Sequence, residues 1–160
     1  MMKKVMKIVI ISIALVVAMY GIIMIATNKK ITINFEEGTN LIVKYNTMQF
    51  KVETDADGNN ILVGKDEKIM FGKIKSLEDY GNDFALLKDY RIMAYNGKVV
   101  EYNGTEYIAY KKENNYELVC QIGTDEYVEI KINGSQDNVE DVFNSKKVQK
   151  VLSRMELLKK

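Results

Sequence analysis

The residues best able to do chemistry in this chain are carboxylates, and the densest group lies in the stretch FKVETDADGNNILVG. Glu53, Asp55 and Asp57 alternate ahead of Gly58, which is the spacing of the first half of an EF-hand calcium loop. The twelfth position, where that loop needs a bidentate Glu, is Gly64. Both flanks alternate apolar and polar residues as strands do, whereas an EF-hand has helices there. We therefore keep Glu53, Asp55 and Asp57 as calcium candidates, second to a hairpin turn at Asp57-Gly58.

Pairs of adjacent carboxylates are the other candidate acid–base groups. They are Glu36-Glu37, Asp66-Glu67, Glu78-Asp79, Asp125-Glu126 and Glu140-Asp141. Glycoside hydrolysis needs two carboxylates roughly 5 to 10 Å apart across a cleft. Neighbours on a strand point to opposite faces, and acidic residues at turns and helix starts are ordinary solvated or capping groups. No catalytic residue is therefore assigned, and a hydrolase working through paired carboxylates remains the alternative function.

The composition excludes several kinds of site. The chain has no histidine and a single cysteine, Cys120. Without histidine there is no Ser-His-Asp or Cys-His nucleophile, and one cysteine allows neither an internal disulfide nor a multi-cysteine zinc site. Cys120 is in phase with Leu118 and Ile122 on an apolar strand, so we predict a buried, unreactive thiol. No cofactor is expected.

Basic residues are concentrated around the first apolar run of the sequence. Of the 23 Lys and Arg residues, five flank this run, namely Lys3, Lys4, Lys7, Lys29 and Lys30, whereas all 22 Asp and Glu residues follow it. The rest of the chain is therefore mildly acidic. Because nucleic-acid binding requires clustered positive charge to replace counterions on phosphates, we expect no nucleic-acid partner.

The first apolar run, residues 8–26, carries no charge. As a helix it is roughly 28 Å long, close to the thickness of a bilayer's hydrocarbon core, and it predicts a transmembrane signal anchor. Residues 1–7 then form a cytoplasmic basic N-terminus, 27–30 a juxtamembrane linker and 31–160 an extracytoplasmic domain. The alternative is secretion after cleavage, but the run is longer than a cleaved signal core and Met24 lies where a small residue is required.

Residues 31–160 predict one small α+β domain with an antiparallel sheet. Alternating patterns indicate two N-terminal hairpins, a helical stripe follows over 76–92, and KVVEYN, TEYIAYKK, NYELVCQI and DEYVEIKIN form a four-stranded meander. A C-terminal amphipathic helix with a break near Asn144-Ser145 closes the chain. This order of elements resembles the Mog1/PsbP-like α/β sandwich. The resemblance rests on no shared motif, so it implies a fold and no functional residue.

Two sets of residues are candidate interaction sites. Tyr107 and Tyr127 are out of phase with the apolar residues of their strands, which predicts an exposed aromatic face suited to a protein or glycan. The alternative is cross-strand pairing or cover by a helix. Lys146, Lys150 and Arg154 recur every four residues along the last helix and face either an acidic partner, anionic lipid or solvent.

The function predicted from these features is that of a binding or assembly module. The module is expected to be anchored in a bilayer through residues 8–26 and to work outside the cell membrane in a bacterial envelope complex, with a protein as its partner. The prediction depends on the uncharged helix, the short linker and the shortage of catalytic residue types.

Overall fold

The computed structural model describes residues 2–34, 40–74, 77, 83–123, 126–133 and 142–158, which form helices and strands in the following order. The helices are α1 (Met2–Thr27), α2 (Phe84–Tyr95) and α3 (Lys146–Leu152). The strands are β1 (Asn28–Asn34), β2 (Asn40–Asn46), β3 (Phe50–Thr54), β4 (Asn60–Gly64), β5 (Lys68–Ile74), β6 (Lys98–Tyr102), β7 (Thr105–Lys112), β8 (Asn115–Gln121), β9 (Tyr127–Asn133) and β10 (Met155–Leu158).

The strands pair into two antiparallel sheets. The smaller has the order β1-β2-β10, and the larger has the order β3-β4-β5-β9-β8-β7-β6. The predicted meander over β6 to β9 is confirmed. Asn103 and Gly104 both have positive φ (51° and 73°), as a type I′ hairpin requires, and Glu113 in the next turn has φ 55°. Strand β9 also pairs with β5, so the N-terminal strands and the meander form one continuous sheet.

The main core lies between the two sheets. Ile31 and Val43 of the small sheet pack with Phe71 and Ile130 of the large one, and Val151 of α3 joins the same cluster. Alternation along β1 and β9 directs these apolar side chains to a common face. Because burial of apolar area is the main driving force of folding, the small sheet and α3 are held against one face of the large sheet.

Helix α2 covers the opposite face of the large sheet. Leu87 packs there with Ile108 and Tyr110, which point away from the main core. The helix begins after Asp83, whose side chain accepts a hydrogen bond from the backbone N–H of Ala85 at 2.8 Å. The prediction of a helix in this region is therefore confirmed, but the helix begins at Phe84 and not at the start of the predicted range 76–92.

The predicted fold class needs correction, because the molecule is a sheet-rich α+β fold with two sheets rather than one. The predicted Mog1/PsbP-like sandwich and the predicted long C-terminal helix are therefore both wrong. Helix α3 ends at Leu152, and the next residues form β10, where Met155 pairs with Val43 and Leu157 with Leu41. The apolar residues assigned to one helical stripe are thus shared between a short helix and a strand, both facing the same core.

The prediction for the first apolar run also needs correction. Among the described residues, no helix is long and apolar enough to cross a membrane. This finding contradicts the predicted signal anchor over 8–26 and the single-pass membrane localisation that was inferred from it.

Candidate functional site

The Asp55 carboxylate is used inside the turn between β3 and β4. Its Oδ1 accepts the backbone N–H groups of Asp57 (3.0 Å) and Asn59 (2.8 Å), and its Oδ2 accepts the Asn59 side-chain amide at 2.9 Å. The Asn59 amide and these backbone bonds lower the pKa of Asp55. Gly58 has φ 82°, so the predicted turn is confirmed. Glu53 lies exposed on β3, and within the described ranges no three potential metal ligands converge.

The paired carboxylates of the sequence are mostly outside the part of the chain that the structure describes. Glu36-Glu37, Glu78-Asp79, Glu140-Asp141 and one member of Asp125-Glu126 fall there. In the remaining pair, the Glu67 carboxylate lies 3.5 Å from the ammonium of Lys150. This carboxylate therefore already has a cationic partner.

Glu117 is a buried carboxylate that the sequence patterns did not single out. It lies on β8, opposite Tyr110 of β7 and Lys131 of β9. Burial, followed by the nearby Glu117, raises the pKa of the Tyr110 hydroxyl, which stays protonated. The signal in the sequence was the position of Glu117 between apolar neighbours in NYELVC, because a strand in the middle of a sheet covered on both faces has no solvent side.

The tyrosines expected on an exposed face are buried. Tyr107 is 3% exposed and belongs to the main core, whereas Tyr127 is 5% exposed and stacks on Phe84 with 5.1 Å between ring centroids. The predicted shared aromatic face is therefore wrong, because Tyr107 and Tyr127 lie on opposite faces of the large sheet and both faces are covered. Cys120 is buried as predicted, and burial raises the pKa of its thiol to about 12.

The three basic residues predicted on one helical face are divided between two elements. Lys146 and Lys150 are exposed on α3, whereas Arg154 lies in the turn between α3 and β10. The Arg154 guanidinium lies over the Phe50 ring, 4.8 Å from its centroid. The basic stripe is therefore not a single surface.

Helix α1 carries most of the exposed large apolar side chains in the described part of the chain. Their exposed fractions lie between 49% and 67% for Val9, Ile10, Ile11, Ile13, Leu15, Val16, Val17, Met19, Tyr20, Ile22 and Ile23. At about 100° per residue these positions lie on every side of the helix. Together they form the α1 surface, which is the candidate interaction site of the molecule.

The end of α1 is fixed to the sheet domain by hydrogen bonds. The backbone N–H of Thr47 donates to the Thr27 carbonyl at 2.8 Å, and the Asn46 side-chain amide donates to the Thr27 hydroxyl at 3.3 Å. Strand β1 begins at the next residue, Asn28, and pairs with β2 from there. The α1 surface is therefore presented from a defined point of the domain.

Comparisons of this chain with protein-family models and with curated proteins find no match.

Proposed function

We propose that the protein is a binding or assembly module that joins a protein complex by burying α1 among helices of its partner. The observation that supports this proposal is the exposure of apolar side chains on all sides of α1. Contiguous apolar surface of this kind marks interaction sites, because leaving it in water costs roughly 25 cal/mol for each Å².

The distribution of the apolar residues indicates the kind of partner. A surface helix that packs on one neighbour has an apolar stripe and a polar face, whereas a helix that is apolar all round is surrounded. Ile13, Leu15 and Val16 point in widely different directions and are each about 60% exposed or more. A single partner helix covers only one side, so the proposal specifies a bundle of several helices around α1.

The groups that could do chemistry support a binding role because they are engaged in structure. Asp55 holds a turn, Glu67 lies beside Lys150, and Cys120 is buried with a raised pKa. A nucleophile or acid–base group needs access to its substrate and a matched pKa.

Site-specific photo-crosslinking of the full-length chain in its native cells tests the proposal. A photo-reactive amino acid replaces Val16 on α1, and the matched control replaces Met93, which is 85% exposed on α2. We expect a reproducible protein adduct from position 16 and none from position 93. No adduct from position 16 at native expression contradicts the proposal, and an adduct containing only a second copy of the chain contradicts a distinct partner.

A further inference from the structure

A cavity of about 600 Å³ lies where the start of β1, the end of β2 and the turn before β10 meet. Four cationic residues are part of its lining, namely Lys29, Lys30, Lys44 and Arg154. Its volume falls in the range of roughly 300 to 1,000 Å³ that is common for small-molecule sites. The cavity is separate from the exposed length of α1 that carries the proposed function.

The charge of the cavity is strongly positive. None of its described lining residues is acidic. The nearest ion pair joins Lys44 to Glu156 at 2.9 Å, and both side chains are about half exposed or more, so water screens this pair. Lys29 and Lys30 are neighbours on β1 and point to opposite faces, whereas Lys30 pairs with Lys44 of β2 and shares its face. Lys30, Lys44 and Arg154 in one lining repel each other and attract an anion that enters it.

Arg154 is the residue that most requires a partner there. Its position is fixed, because its carbonyl accepts the N–H of Lys44 at 2.8 Å and its own N–H donates to the Val151 carbonyl at 3.0 Å. The guanidinium lies on Phe50, and its Nη1 is shielded from solvent without a hydrogen-bond partner among the described residues. Burial lowers the pKa of Arg154, whereas the carboxylate of Glu67 raises it. A shielded donor without an acceptor is costly, and a bound anion supplies acceptors.

The cavity also offers neutral donors on a fixed wall. Asn28, Asn46 and Gln49, residues with side-chain amides, are part of its lining. The Asn46 side chain is held at both ends, since its amide nitrogen donates to Thr27 and its Oδ1 accepts the N–H of Met48 at 2.8 Å. A site whose groups are held before binding loses less entropy when the ligand arrives.

We propose that this cavity is a binding site for the phosphate group of a small molecule. A phosphate carries up to two negative charges and several oxygens, enough to engage a guanidinium fork and two ammonium groups together. A carboxylate has one charge and two oxygens, which leaves more of the cations around Arg154 unpaired. The cavity has room for more than the phosphate itself, so its ligand is a phosphate ester or a diphosphate.

Calorimetric titration of the full-length protein with pyrophosphate, inorganic phosphate and acetate tests this assignment. All titrations are done at one ionic strength, because salt screens exposed charges. We expect binding of pyrophosphate at millimolar concentration or tighter, weaker binding of inorganic phosphate and the weakest binding of acetate. Absence of binding for both phosphates overturns the proposal, and so does acetate binding as tightly as pyrophosphate.

Two variants and a control test whether pyrophosphate binds in the cavity. Arg154→Met keeps a long side chain over Phe50 but removes the charge, and we expect it to weaken pyrophosphate binding by about tenfold or more, in line with a lost charged hydrogen bond. Lys30→Gln changes an exposed residue and should weaken binding by about threefold. The control Lys88→Gln removes the same charge from α2, where Lys88 pairs with Glu106.

The outcomes separate a site from general attraction to a positive surface. Equal affinity in the wild type and in Arg154→Met, with both proteins folded by circular dichroism, contradicts the site. A loss in Lys88→Gln as large as in Lys30→Gln contradicts it as well. If Arg154→Met does not fold, the affinities of Lys30→Gln and Lys88→Gln are compared instead, because both positions are at the surface and neither change should prevent folding.

Discussion

The two most apolar regions of the molecule, the sheet core and α1, differ in how far their side chains are exposed to solvent. In the sheets, apolar side chains such as Leu118 and Ile130 are fully buried in a core that both sheets and α3 share. Along α1, side chains of the same types remain about half exposed or more. The first arrangement holds the fold together, and the second leaves apolar area for another molecule to cover. Residues that stabilise this chain are thus distinct from the α1 residues that we propose to bind a partner.

Matched truncations test this separation with the largest expected effect. Leu118→Ala removes a fully buried side chain and should lower the free energy of unfolding by about 3 kcal/mol, because it leaves a cavity. Ile13→Ala on α1 should change it by less than about 0.5 kcal/mol, since Ile13 is 59% exposed. Urea unfolding followed by circular dichroism measures both. Similar losses in the two variants would show that α1 stabilises the fold as much as the core does.

The two arginines that lie on aromatic rings are expected to have different roles, one in stability and one in binding. Arg91 lies over the rings of Tyr90, Tyr95 and Tyr110, at 5.8, 5.5 and 5.2 Å from their centroids. Arg91→Met should lower the free energy of unfolding by about 1 to 2 kcal/mol, because the contact with Tyr110 attaches α2 to β7, whereas the contacts with Tyr90 and Tyr95 lie within α2. Arg154→Met should change it by less than about 0.5 kcal/mol, as the lost ring contact is offset by removal of an unpaired donor. The reverse order in thermal and urea unfolding would contradict both assignments.

Glycine substitutions should have opposite signs in the two regions. Gly58 has φ 82° in the β3–β4 turn, so Gly58→Ala should destabilise the domain by about 1 kcal/mol. Gly21 lies inside α1 with open space around its Cα, so Gly21→Ala should favour the helix by up to about 1 kcal/mol. Urea unfolding measures the first effect and helical circular dichroism the second. A loss of helix in Gly21→Ala contradicts the exposed position of α1.

The smallest expected effect concerns Cys120, whose thiol should not react in the folded protein. Its burial and raised pKa keep the thiol protonated at pH 8, far below about 12. Because the thiolate is the reactive form, iodoacetamide should leave the folded chain unmodified for hours and modify it within minutes in urea. Intact mass measures both rates. Rapid modification without urea indicates that the main core opens at β8.

The sequence patterns predicted the parts of the fold that depend on neighbours along the chain. The meander was predictable because Asn103-Gly104 is a strong local turn signal and its strands alternate regularly. Strand β10 was not, because Val148, Val151, Leu152 and Met155 also fit one helical stripe. What decides its conformation is pairing of Met155 with Val43, more than one hundred residues away.

The candidate sites show the same limit. The turn at Asp57-Gly58 followed from local chemistry and is present as predicted. The cavity proposed to bind phosphate combines Lys30 with Arg154 from opposite ends of the chain, and no local spacing links them. The apolar run of α1 was recognisable in the sequence, whereas no motif in the sequence indicates which partner would cover it.

Loss of crosslinking in a charged α1 variant tests most directly the proposal that α1 binds a protein partner. The variant carries Ile13→Lys and Val17→Lys on one side of α1, and the control carries Met93→Lys on α2. Chemical crosslinking of the full-length proteins in native cells is followed by quantification of the captured partner. We predict that the α1 variant recovers at least about tenfold less partner with an unchanged melting temperature, because two charges would be buried unpaired, and that the control recovers as much as the wild type. Equal recovery by the α1 variant and the wild type contradicts the proposed binding of a partner by α1.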